Sequence, residues 1–244
     1  MRSVLFSLVN ILVFSVQAYS QHYYYTPNSI HIPVLSGKNE WSAGAGLGWG
    51  SDYFALEVQS VYSPAPHAAV MFNGFASGVG GVRSNEDIGA NFRFLEIAGG
   101  AYQALEYGSA SIFAGAGQGN MYNYYGLNNF SKFTVRRYFV QPGLMYENNG
   151  FRCGLALRLS RISYPKGESS FDISDVELAA IRKIEKDSPF FLPEFGISGG
   201  MVLSPCIVSV NVTTVFPDVP GLNFSRFNLT MMLTFEFGKK QRKK

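Results

Sequence analysis

Five ionisable side chains stand where the chain otherwise alternates apolar with small or neutral residues: Glu57, Glu96, Glu194, Arg137 and Arg158. Gln59, Gln141, Asn211, Thr213 and Asn228 occupy the same polar set of alternate positions. An isolated charge in a low-dielectric cavity is costly, so if this set shares one interior its opposite charges must pair or meet water. Two kinds of chemistry suit such a cluster: a charged constriction controlling a narrow pore, or a salt-bridged plug stiffening a tube. A tube of about ten strands has a small lumen, which favours the plug.

Catalysis finds weaker support. His22 and His31 belong to the N-terminal segment and His67 to a turn, so no histidine is expected at the far rim, where a barrel-borne protease or acyltransferase would need its base. Gly196-Ile197-Ser198-Gly199-Gly200 has the letters of a nucleophile elbow, but it lies inside a strand pattern with no helix after it. The alternate glycines of Ala43 to Gly50 are a packing pattern rather than a phosphate cradle. No catalytic residue, cofactor or metal ligand is expected. Cys153 and Cys206 could pair in an oxidising compartment. They open strands separated by a third, however, and two strand spacings exceed the ~7 Å a disulfide tolerates; the pairing stays open.

The elements that must position these residues follow from composition. The 244 residues are 47% apolar and 15% aromatic but 15% charged, against roughly 25% charged in an average soluble domain. Disorder is excluded. The 26 glycines, with many aromatics and few charges, point to many strands in close backbone contact. A net charge of +3, spread along the chain, speaks against nucleic acid. Met1-Arg2, the largely apolar run Val4 to Val16 and Gln17-Ala18-Tyr19-Ser20 read as a secretory signal peptide cleaved before Gln21. After it no run approaches about 18 apolar residues, so membrane residence would have to be through strands.

Read in steps of two, the chain separates greasy from polar or small residues. Phe227, Leu229, Met231, Leu233, Phe235 and Phe237 share one face, Asn228, Thr230, Met232, Thr234 and Glu236 the other. Trp41, Ala43, Ala45, Leu47 and Trp49 alternate with Ser42, Gly44, Gly46 and Gly48 in the same way. The strands expected are Glu40 to Gly50, Tyr53 to Pro64, His67 to Ser77, Phe92 to Gln103, Ser109 to Asn120, Phe133 to Glu147, Phe151 to Tyr164, Phe190 to Met201, Ile207 to Val215 and Phe227 to Phe237. Most are longer than the ~5–6 residues of soluble sheets and near the ~9–11 that cross a bilayer at a tilt. The polar face carries few charges and many Gly, Ser and Ala, a poor solvated surface but a well-packed lumen, whereas Phe, Leu, Val, Met and Trp on the other suit lipid. Connections alternate short and long, as periplasmic turns and external loops should. In the longest, Ser174, Asp175 and Glu177 fit a capping box, and Val176, Ala180, Ile181 and Ile184 recur at helical spacing, giving a short amphipathic helix over the mouth.

Tyr25-Thr26-Pro27-Asn28, Ile30-His31-Ile32-Pro33-Val34-Leu35 and Glu40 resemble the opening of small outer-membrane β-barrel proteins of Bacteroidetes. Pro189-Phe190-Phe191-Leu192-Pro193-Glu194 and the closing Phe227-Asn228-Leu229-Thr230 and Phe235-Glu236-Phe237 resemble their later parts. The resemblance spans nearly the whole mature chain through loose motifs and implies a barrel in a Gram-negative envelope. The chain departs from the family where Phe237 is followed by Gly238 and a basic tail instead of ending on the aromatic.

The expectation is an all-β, antiparallel, up-and-down transmembrane barrel of about ten strands, within roughly eight to twelve. Its divisions are a signal peptide (1–20), an N-terminal periplasmic segment (21–39), the barrel (40–238) and a basic C-terminal tail (239–244). The role expected is structural or porin-like narrow-pore transport in the outer membrane, without catalysis. The partners implied are the lipid bilayer, lipopolysaccharide and the outer-membrane insertion machinery, with no nucleic acid and no protein partner indicated. The alternatives are a secreted soluble β-barrel holding an apolar ligand, or an outer-membrane barrel enzyme acting on lipid or peptide.

Overall fold

The computed structural model describes residues 24–50, 53–79, 88–125, 129–170, 175–216 and 224–238. The signal peptide, the basic tail and the side chains of the capping box lie outside them. Ten strands form: β1 (Trp41–Trp49), β2 (Phe54–Ala65), β3 (Ala68–Val79), β4 (Ile88–Leu105), β5 (Gly108–Tyr125), β6 (Phe130–Asn148), β7 (Phe151–Ser169), β8 (Phe190–Leu203), β9 (Cys206–Val215) and β10 (Phe227–Phe237), with one helix, α1 (Asp175–Asp187), between β7 and β8. Each strand pairs antiparallel with its sequence neighbours, and β1 pairs β10 from Trp41 opposite Phe237 to Trp49 opposite Leu229, which closes the sheet into an up-and-down barrel. Closure leaves no unpaired edge.

One end of the barrel is made of two-residue turns: Pro66-His67, Glu106-Tyr107, Asn149-Gly150 and Ser204-Pro205. Asn149 (φ 49°) and Gly150 (φ 80°) are both left-handed, the type I′ geometry that matches the twist of a hairpin. The N-terminal end of β1 and the C-terminal end of β10 lie at this turn end. The opposite, loop end carries the longer connections and α1. Strands β4 to β7 run further towards it than their apolar pattern reaches; β7, expected to stop at Tyr164, pairs as far as Ser169.

The faces sort by parity. Leu56 (58% exposed), Ile97 (61%) and Phe235 (41%) look outward, while Arg158 and Glu194 are fully buried within. This is the transmembrane arrangement and the reverse of a soluble barrel, whose greasy face would fill the centre.

The N-terminal segment corrects the expectation. Residues 24–39 are not a periplasmic extension: they run down the inside of the barrel, from Tyr25, which bridges to Phe224 at the loop end, to Asn39, whose N–H reaches the Ser63 carbonyl at the turn end. This internal strap meets three layers. At the loop end Tyr24 and Tyr25 join Phe75, Phe92, Phe133 and Tyr164 in an aromatic cluster that also receives Ile181 and Ile184 of α1. A polar layer follows. Below it Ile30, Ile32 and Val34 pack on Met145 and Ala156, and Leu35 packs among Met71, Phe113 and Phe139. At Gly196 a Cβ would stand 3.0 Å from the Cβ of Ile30, so the missing side chain makes room for the strap.

Candidate functional site

The middle layer holds the charges picked out by alternation. Arg137 of β6 and Glu96 of β4 form an ion pair of 2.5 Å, and Arg158 of β7 reaches Glu194 of β8 through Nε at 2.6 Å and Nη2 at 3.0 Å. Arg158 and Glu194 stand directly opposite in register, so the sheet itself sets that pair. The two pairs meet: Arg137 Nη1 lies 3.6 Å from Glu194 and Arg158 Nη1 3.8 Å from Glu96. Two guanidinium groups and two carboxylates balance in charge. The Arg137 guanidinium also lies 4.7 Å from the centroid of the Phe94 ring, within cation–π range.

The strap is built into this quartet. The Tyr25 hydroxyl donates to Glu194 (2.7 Å) and accepts from Arg137. Asn28 donates to Glu96 (3.0 Å), while its Oδ1 accepts from Arg137 (2.7 Å) and Arg158 (3.1 Å). Arg158 also donates to the Asn28 backbone carbonyl at 3.1 Å, and Ser160 adds a hydroxyl to Glu194 at 2.9 Å.

Glu57, the third glutamate, sits apart. Its carboxylate accepts from the Ser29 N–H and hydroxyl, from Asn228 (2.6 Å) and from Thr230 (2.8 Å). Gln59 donates to the Ser29 carbonyl and hydroxyl, Gln141 to the His31 carbonyl, and Thr213 accepts from the Ile30 N–H. The expected polar residues therefore surround the strap and mostly bond to it. Asn211 lines a polar cleft at the turn end with His31, Ser42, Ser209 and Thr234; the cleft has about 30 Å³, room for about two waters.

Alternation alone missed two features. Tyr25, Asn28 and Ser29 lie in a segment without periodicity, and nothing local announces partners more than 100 residues away, such as Glu194 or Arg137. Arg152 of β7 bonds Glu147 of β6 and, across the lumen at 2.8 Å, Glu236 of β10. Its inward parity on β7 was the available signal.

Cys153 and Cys206 are both free. Cys153 faces Gly199 of β8 and Cys206 faces Leu203 of the same strand, so β8 separates them. His31 is inside the lumen and His67 at a turn; His22 lies outside the described residues. Gly196 to Gly200 are strand residues of β8. Among the described residues no group of three His, Cys, Asp or Glu could hold a metal ion. At the loop-end rim the exposed Lys166 and Glu168 pair at 2.6 Å; the hydrogen bond holds the carboxyl below, and the ammonium above, its ordinary range.

No family model and no curated protein matches the chain. Among solved structures the chain is similar to LpxR from Salmonella typhimurium, over 80% of this chain and 99% of that one, with 9% identity and a TM-score of 0.42. At that level the likeness assigns no activity. The expectation of a barrel without catalysis is not carried forward, since a barrel build does not by itself exclude an enzyme.

Proposed function

We propose that the chain is an outer-membrane β-barrel whose lumen is closed by its own N-terminal strap, the loop end facing the exterior and the turn end the periplasm. Membrane residence is supported by the outward belt of Leu56, Val58, Phe72, Leu95, Ile97, Leu155, Val208 and Leu233, far larger than the few hundred Å² of apolar surface a soluble monomer tolerates in one patch. Short turns at one end and long loops at the other support the orientation. The observation that carries the closed state is the quartet of Arg137, Arg158, Glu96 and Glu194 bonded through Tyr25 and Asn28, which fills the cross-section with paired groups. The protein is then a sealed scaffold that presents α1 and the loop end at the cell surface.

Planar-bilayer recording tests this. The intact chain should be nearly silent, and replacing Arg137 and Arg158 together by Ala should raise conductance by releasing the strap. Steady channel-sized current from the intact chain would overturn the closed reading.

A second reading is an enzyme acting on lipid at the external rim. No described histidine reaches that rim, so Ser, Asp or Glu would have to serve there. Mass spectrometry of lipopolysaccharide incubated with the folded barrel decides it: loss of an acyl chain assigns the activity.

A further inference from the structure

The outside of the barrel is not uniform. On the loop-end half of β4 to β7 the outward positions carry Arg93, Lys132, Arg136, Arg161 and Lys166, all exposed. They interleave with polar neighbours in register: Arg93 faces Asn120, Asn120 faces Thr134, Thr134 faces Lys166, and Arg136 lies between Gln118 and Ser163. With strands ~4.8 Å apart, this cluster spans about 15 Å around the wall. Glu168 is the acid among the described residues of this face, and Lys166 takes it up. At the same height, β8 to β10, β1 and β2 turn Phe191, Phe195, Met231, Trp49, Phe54 and Leu56 outward instead, so among the described strand residues the cations belong to one side of the wall.

Directly beneath Arg93 and Arg136, and level in register with Arg161, which faces Tyr138, the wall is hollowed. Ala116 of β5 is flanked in register by Ile97 of β4 and Tyr138 of β6, both about 60% exposed. Phe72 and Leu95 complete a groove of about 520 Å³, within the size class of ligand pockets. Its upper end is closed by Arg136, whose Nε donates to Gln118 at 3.1 Å. A greasy groove in the acyl region with a cation at its top matches a lipid whose chain lies in the groove and whose anionic headgroup rises into the cluster.

We propose that this face is a binding site for a phosphorylated, multiply acylated glycolipid of the outer leaflet, lipopolysaccharide. An acyl chain occupies the groove over Ala116, and the headgroup phosphates bridge Arg136 to Arg93 and Arg161. The charge complementarity selects this occupant: a zwitterionic phospholipid carries no net charge for the three arginines on β4, β6 and β7, which outnumber the one acid, Glu168, held between Lys132 and Lys166. The inference rests on the membrane reading above and goes beyond it by naming a side, a groove and a ligand.

The test uses the full-length chain in neutral detergent, with bisphosphorylated lipid A as the probe and native mass spectrometry as the readout. The intact chain should retain lipid A, and should retain neither its dephosphorylated form nor phosphatidylglycerol to the same degree. Arg93→Ala, Arg136→Ala and Arg161→Ala together should weaken retention roughly a hundredfold, each cation near an anionic surface counting for about fivefold. Ala116→Phe, which fills the groove and leaves every charge in place, should also displace the lipid, whereas Met231→Ala on the opposite wall should not. Heat-modifiable gel mobility shows whether each variant is folded. Folded triple and Ala116→Phe variants that retain lipid A like the intact chain would overturn the site, and equal retention of phosphatidylglycerol would overturn the glycolipid. Insertion into phosphatidylcholine vesicles separates the two levels: a chain that inserts but ignores lipid A sinks this inference alone, and one that inserts into no bilayer sinks the membrane reading.

Discussion

Arg158 illustrates how a buried charge is tolerated at the scale of one residue. It is fully buried yet meets Glu194 twice and Asn28 twice. Removing one partner of a buried pair is more harmful than removing both, because the survivor keeps its desolvation cost. Arg158→Leu leaves two carboxylates facing one guanidinium, and should cost about 3–5 kcal/mol in urea unfolding. Adding Glu194→Leu leaves Arg137 and Glu96 still paired and should recover much of that loss; a double variant no better than the single would show that the quartet does not act through charge balance. The cysteines carry a second prediction. With β8 between them, both thiols should take up maleimide in denaturant without reductant, giving two adducts by mass. The charged lumen residues were legible because a Glu or Arg inside an alternating stretch stands out, whereas Tyr25 and Asn28 gain their meaning only from groups brought near by closure.

Among the elements, the strands read well from alternation and their upper ends did not. Above the belt, outward residues such as Lys166 and Glu168 are polar, so the apolar beat stops while backbone pairing continues: Lys132 still faces Glu168. The strap was misplaced for a related reason. Ile30, Ile32 and Val34 alternate too briefly to register as a strand, and residues 24–39 enter no strand pairing beyond the single bridge at Tyr25. Whether such a segment hangs outside or threads a lumen depends on the wall around it, and Gly196 is where the wall yields. Gly196→Val should therefore push against Ile30, costing about 1–3 kcal/mol as overpacking does and making the strap more open to protease. Unchanged stability and cleavage would mean that strap and wall are not in close contact there.

For the whole molecule, closure and sidedness were readable because they follow from parity, which a single residue's slip would reverse along a strand. What parity could not convey is the route of the chain before β1. An even number of strands ordinarily leaves the beginning and the end of a barrel on the same side. Here Tyr24 sits among the aromatics of the loop end and Gly238 beside Asn39 at the other. An epitope spliced ahead of Tyr24 should thus bind antibody on intact cells, while one placed after Gly238 should bind only once the envelope is permeabilised; equal staining of both would contradict the route. The strand that seals the wall against β10 is also the one that carries on into the strap, so closing the hoop and stoppering it are joined through a single stretch of chain at β1.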